Sequence, residues 1–184
     1  VHVHFQHVST AISFEAIRRA KAEGLPITCE TAPHYLALSD EALLKYGTLA
    51  KMNPPLRSEA DRKATIAAIA DGTVDLLATD HAPHTFEDKN TSMKSAPFGI
   101  VGLETAACLT YTELVLGGYL TPMQMAEKMS YNPAKIIGID KGDIEPGKVA
   151  DIVIFDPDET YVIDKNTFFS KGRNCLLYTS DAAD

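Results

Sequence analysis

An excess of positive charge is the first thing this sequence lacks. Lysine and arginine number 17 against 25 acidic residues, a formal charge of −8. A nucleic-acid-binding face needs the reverse balance, so no nucleic-acid partner is expected. An anionic small molecule is not excluded, because a metal or a few local cations can invert the potential inside one pocket. Cysteine is scarce: Cys29, Cys108 and Cys175 stand apart, with no C-x-x-C pair. An odd number of unclustered cysteines, with no secretory leader, reads as reduced thiols in a cytoplasmic protein. No apolar run approaches the ~20 residues that span a bilayer, so no membrane partner is expected either. Internal repeats, low-complexity tracts and an H-E-x-x-H motif are also missing. What remains, with 184 residues of which 45% are hydrophobic, is a globular balance in a chain long enough for a core.

The chain is organised around residues 74–84, VDLLATDHAPH. Val74-Asp75-Leu76-Leu77-Ala78 is a short apolar run suited to a strand buried on both faces. It delivers Asp80, His81 and His84 at its end, where Pro83 stops the ladder. Two more strands are read over 1–7 and 27–31, the second running out at Ala32-Pro33-His34. Helices are expected between them: 14–23 capped by Ser13, 40–46 capped by Ser39 and stopped by Gly47, and 59–70 opened by Ser58 and Asp61. This alternation implies parallel strands with right-handed crossovers. Residues 85–101 form a long polar loop over the strand ends, a place where long loops act as lids. Helices follow over 102–117, from Pro122 to Tyr131 behind a Thr121 cap, and over 132–138. Beyond Gly138 the β-rich runs 150–156 and 160–163 suggest a small antiparallel module. The chain begins in mid-strand without an initiator Met, which reads as the middle of a longer protein.

The strand ends carry the chemistry. His7, His34, Asn53, Asp80, His81 and His84 converge on one face if the strands are adjacent and parallel. Neutral imidazoles and a carboxylate suit Zn²⁺. A metal there acidifies a bound water, and a carboxylate beside it moves the proton. That constellation fits metal-assisted hydrolysis, although spacing alone leaves open a plain strand followed by a polar loop.

Five motifs occur in a telling order: His7-Val8-Ser9-Thr10; Glu30-Thr31-Ala32-Pro33-His34-Tyr35-Leu36; Lys51-Met52-Asn53-Pro54-Pro55-Leu56-Arg57; Thr79-Asp80-His81-Ala82-Pro83-His84; and residues 96–105, APFGIVGLET. In wording and order they resemble a bacterial-type (class I) dihydroorotase of the amidohydrolase superfamily. Residues 147–156, GKVADIVIFD, resemble that superfamily's C-terminal β module. The match covers about residues 1–174. Hydantoinases and allantoinases share the outline, and a non-catalytic dihydroorotase-like scaffold subunit is the other alternative.

The resemblance implies an α/β fold, part of a TIM (β/α)8 barrel with strands six to eight and their helices, followed by part of the small β module. On this reading residues 1–138 belong to the barrel, 139–174 to the module, and 175–184 form an anomalous tail left out of the functional reading. The implied reaction is the reversible cyclisation of N-carbamoyl-L-aspartate to dihydroorotate in pyrimidine synthesis, with one or two Zn²⁺ ions. By motif, His7 and Asp80 match zinc ligands, and Asp80 also matches the catalytic acid/base. Asn53 and His84 match substrate-binding positions, as does the Phe98-Gly99 backbone. A homodimer or a complex with aspartate carbamoyltransferase is the implied assembly. Three ligand groups of the family are missing: the first-strand His-x-His, the bridging lysine or aspartate, and the fifth-strand histidine. His2-Val3-His4 is not read as that His-x-His, because it runs directly into the sixth-strand motif; its histidines are expected on alternate faces of a strand. The 184 residues alone are therefore expected to be inactive. Around these, His81 is read as orienting Asp80 or a zinc ligand, or else as a plain loop histidine. Arg57 is read as meeting a substrate carboxylate or anchoring its loop by a salt bridge. Glu104 is read as facing a helix N-terminus, His34 as structural support, and Cys29 and Cys108 as core.

Overall fold

A computed structural model describes residues 1–176. Three parallel strands lie in the order β1 (Val3–Phe5), β2 (Ile27–Thr31), β3 (Leu76–Leu77), with Val3 opposite Ile27 and Glu30 opposite Leu76. The strands fall where the apolar runs predict them but are shorter at both ends than 1–7 and 74–78. Helix α1 (Ala11–Ala22) crosses from β1 to β2. Three helices separate β2 from β3: α2 (His34–Ala37), α3 (Ala42–Tyr46) and α4 (Glu59–Ala70).

The cap of α4 is the expected one, Ser58 accepting the Asp61 N–H. The cap of α1 is not. Thr10, extended at φ −124°, accepts the Ser13 N–H, and the helix starts three residues before the sequence places it. The Ala11 N–H is taken by the Asp61 carboxylate at 2.8 Å, from another helix fifty residues away. Such a long-range acceptor supplies the partner that the first turn lacks by itself, and no local pattern announces it.

After β3 come α5 (Phe86–Lys89), α6 (Ala106–Thr110), α7 (Pro122–Ala126) and α8 (Asn132–Ile137). Helix α6 continues as a wider π-type turn over Tyr111–Leu116, and α7 does the same over Glu127–Tyr131. Thr121 caps α7 and Pro122 opens it, as expected, and the Gln124 side chain adds a bond by accepting the Thr121 N–H. One core lies between the sheet and α1 and α4, built on Phe14, Ile17, Leu36, Ile66, Ile69 and Leu77. A second lies under residues 32–56 and includes Tyr35, Met52, Leu56, Ile100 and Val101.

The β-prone runs 150–156 and 160–163 form no strand among the described residues. Ile152, Val153, Ile154 and Val162 are exposed there. A strand needs a neighbour for its ladder, and among the described residues no strand lies beside either run, so the expected antiparallel pairing is not made there. Of the stretch set aside as a tail, Cys175 and Leu176 are buried in the second core; residues 177–184 lie outside the described residues. No helix among the described residues is long and apolar enough to cross a membrane.

Candidate functional site

The C-terminal ends of the three strands bring a row of titratable side chains together. Glu30 is buried near the end of β2. One of its oxygens lies 3.0 Å from His4 Nε2 and the other 3.2 Å from His7 Nδ1. The opposite nitrogen of His7, Nε2, faces Asp80 Oδ1 at 3.7 Å. His7 (φ 55°) and Asp80 (φ 47°) are the only non-glycine residues with positive φ among those described. That conformation is costly for side chains with a Cβ and concentrates where a site must hold a group in place. The two residues that the motifs single out as ligands are thus the two that carry backbone strain. Burial pushes the Asp80 carboxyl above its ordinary range; His7 opposes this and Glu30 adds to it.

His2 and His4 are not on alternate faces. His4 lies in β1 and His2 just before it, and both reach the Thr28 hydroxyl, at 2.7 and 3.1 Å. A cavity of about 460 Å³ opens on this side of the sheet, against His4, Glu30, Leu76, Ala106, Met129 and Ile136. It is mainly apolar and does not reach His7 or Asp80.

A zinc ion needs about four donors, and His7 and Asp80 supply two. Neither His7 Nε2 nor Asp80 Oδ1 makes a hydrogen bond among the described residues, and 3.7 Å is a separation that two ligands of one ion, or of two adjacent ions, can have. His7 Nδ1 is buried and lacks an aligned hydrogen-bond partner despite the nearby Glu30 oxygen. The pair therefore fits a metal as part of a donor set. Among the described residues no group of three or more His, Cys, Asp or Glu side chains is arranged to hold an ion.

The second group is the loop after β3. His84 Nε2 donates to the Phe98 carbonyl at 2.8 Å. Gly99 sits at φ 133°, where a Cβ would fall 2.3 Å from the Ala82 methyl, so only glycine fits. The Gly99 N–H donates to the Lys51 carbonyl at 3.0 Å. Its carbonyl accepts from Lys89 Nζ at 3.0 Å and from the Asn174 side chain at 3.2 Å. Asn174 also donates to the Ala82 carbonyl and accepts the His84 N–H. Lys89 is buried, and burial followed by the charge of Lys51 lowers its pKa to about 8. Phe98 is exposed, with Lys51 Nζ 4.5 Å from the centre of its ring. Asn53 is exposed, two residues along the chain from Lys51.

The structure thus joins His7 with Asp80, and His84 with Phe98 and Gly99. Other residues sit elsewhere than the sequence places them. His81 does not orient Asp80; its Nδ1 accepts the N–H groups of Gly102 and Leu103, both at 3.2 Å. Arg57 forms no salt bridge among the described residues; its Nε donates to the Ser9 hydroxyl. Glu104 immediately precedes the N-cap of α6, but its carboxylate accepts the N–H groups of Phe169 and Ser170 rather than those of the helix. His34 is buried against Tyr35, its Nε2 without a hydrogen bond among the described residues. Burial, and then the neighbouring His7, holds its pKa down to about 3. Cys29 is core as expected. Sequence reasoning missed Glu30, Lys89 and Asn174. A carboxylate inside the strand Ile27–Thr31 is a signal that could have flagged Glu30; Lys89 and Asn174 lie in polar stretches and carry none.

The sequence pattern of the amidohydrolase family matches residues 1–179. The dihydroorotase of Pelotomaculum thermopropionicum is 56% identical over 172 residues, 94% of this chain and 40% of that protein. That of Bacillus subtilis is 49% identical over 173 residues, with the same coverage. The chain thus spans about 40% of the length of the curated relatives it matches. Among solved structures, the dihydropyrimidinase of Brevibacillus agri superposes with a TM-score of 0.86 at 28% identity, over 90% of this chain and 38% of that one. The L-hydantoinase of Arthrobacter aurescens superposes with a TM-score of 0.75 at 33% identity, over 80% of this chain and 34% of that one. The three-stranded parallel sheet and its helices therefore match part of the hydantoinase and dihydropyrimidinase fold.

Proposed function

The chain belongs to the amidohydrolase family, and we propose that it forms one side of the active centre of a cytoplasmic dihydroorotase, as strands six to eight of a TIM barrel. The reaction is the reversible, zinc-dependent cyclisation of N-carbamoyl-L-aspartate to dihydroorotate. The observation that carries the reading is the pairing of His7 Nε2 with Asp80 Oδ1 at 3.7 Å, each on a left-handed backbone at a strand end. The higher identity to dihydroorotases than to the hydantoinase structures favours this substrate.

In this reading His7 and Asp80 are two of the ligands of one or two zinc ions. Bound zinc would supply carbonyl polarisation and a more acidic water. Asp80 takes the proton of the water that attacks the ring carbonyl and returns it to the departing ring nitrogen. A carboxyl whose pKa burial already raises is suited to holding that proton between the two transfers. Asn53 and His84 hold the substrate's polar groups, and the Phe98–Gly99 backbone grips its ring. The remaining ligands come from outside these 184 residues. Assembly is as a homodimer or with aspartate carbamoyltransferase.

The test measures zinc content and the hydrolysis of dihydroorotate, hydantoin and allantoin by the complete protein that carries this chain. Zinc together with a preference of at least a hundredfold for dihydroorotate is the expected result. A preference for hydantoin or allantoin overturns the substrate, and a zinc-free, inactive protein overturns the enzyme. The 184 residues alone are expected to hold no stoichiometric zinc and to turn nothing over.

A further inference from the structure

We propose that Lys89 is a positioning residue for the substrate loop: its ammonium gathers the carbonyls of Lys51, Pro97 and Gly99 and so fixes the Phe98–Gly99 backbone against the segment that carries Asn53. The proposal rests on the reading of that loop as substrate-binding. Lys89 is 1% exposed and forms no ion pair with a carboxylate among the described residues. Its three bonds, to Lys51, Pro97 and Gly99, are each 3.0 Å long. An ammonium has three protons and no acceptor, so its donors are all used.

The acceptors come from two parts of the chain, one eight to ten residues away and the other 38. They meet in a closed circuit, because the Lys51 carbonyl also accepts the Gly99 N–H. Lys89 ends α5, whose four residues are set by mutual bonds between Thr85 and Asp88. Packing does not account for the residue. A buried cation without an anionic partner costs free energy, and an apolar side chain of similar volume would fill the same space without that cost. What the ammonium adds is the convergence of three carbonyls, two of them flanking the exposed Phe98.

The experiment compares Lys89→Met and Lys89→Arg with the unaltered complete protein. The readouts are kcat and KM for dihydroorotate, zinc content, and amide hydrogen exchange over residues 96–101. For Lys89→Met, KM is expected to rise at least tenfold, with kcat within threefold, zinc retained, and exchange at the Gly99 N–H at least tenfold faster. Lys89→Arg, which keeps a cationic donor, is expected to recover part of both effects. Unchanged KM and exchange in a folded Lys89→Met protein overturn the proposal, as does a loss confined to kcat and zinc. If Lys89→Met does not fold, Lys89→Arg decides: at least threefold in KM and in exchange supports the proposal, and no change in either sinks it. If the unaltered protein does not hydrolyse dihydroorotate, the functional reading has failed, and hydrogen exchange alone then judges Lys89.

Discussion

At the strand ends, His4, His7, Glu30 and Asp80 put four titratable groups side by side, whereas in the loop nearly every contact runs to a backbone carbonyl. The first group is under-bonded. It holds two left-handed backbones, a buried His7 Nδ1 without an aligned partner, and an Asp80 carboxyl that burial pushes towards neutrality. The second group is saturated. Gly99 uses its N–H once and its carbonyl twice, and Lys89 and Asn174 spend their donors on the same few residues. The difference separates two kinds of site. One has side-chain donors left over among the described residues, and the other is held in shape by the protein itself. Substitutions in the first should therefore cost function with little stability, and those in the second should cost stability or loop order.

The largest effect is expected at Asp80. Asp80→Asn in the complete protein should lower kcat for dihydroorotate about a thousandfold, within the range for loss of a general acid/base, and reduce bound zinc. The unfolding midpoint should move little, because the change removes a half-buried carboxylate whose charge burial disfavours. A protein that loses its fold instead would make the strand-end group structural and erase the contrast. Next comes Gly99→Ala, where the new methyl meets the Ala82 side chain and the backbone stays at φ 133°. Overpacking and backbone strain together cost ~3 kcal/mol. Calorimetry of the complete protein should record a midpoint lower by a few degrees. An unmoved midpoint would mean that the loop is not held as tightly as its bonds indicate.

How much of this could be read beforehand differs between the two groups for a physical reason. His7 and Asp80 stand at the ends of apolar runs, and a short apolar run ending in a polar, proline-bearing turn is a local signal. The helix starts at Ser58 and Thr121 are local in the same way. Thr10 also caps locally, through the Ser13 N–H, but Ser13 offers the same kind of side chain three residues on, and the Asp61 carboxylate that fixes the earlier start at Ala11 lies fifty residues away. Lys89 and Asn174 carry no local signal, since their carbonyl partners lie up to 38 and 92 residues off. For His81 the sequence leaves open an orienting role or a plain loop position, and for Glu104 it points to the adjacent helix; each bonds across the chain instead. The runs 150–156 and 160–163 have strand-like composition, but composition does not supply the neighbouring strand that a ladder needs.

The smallest effect is expected at His34, beside the strand-end group. Its ring is buried, and burial, with His7 adding to it, holds its pKa near 3, against about 6.5 in an unfolded chain. The unfolded state therefore binds a proton that the folded state refuses. Stability is full above pH 6.5 and drains away as pH falls towards 3. Between pH 7 and 5 this one group should account for ~2 kcal/mol, at 1.36 kcal/mol per unit. His34→Phe keeps a ring in the cavity and removes both nitrogens, so its unfolding free energy should fall about 2 kcal/mol less than that of the unaltered chain over the same interval. The two proteins share every other titratable group, so the difference in slope belongs to His34. Parallel slopes in urea titrations at pH 7, 6 and 5 would mean that His34 takes up its proton without unfolding, and that the wall between the strand ends and the core is open to water.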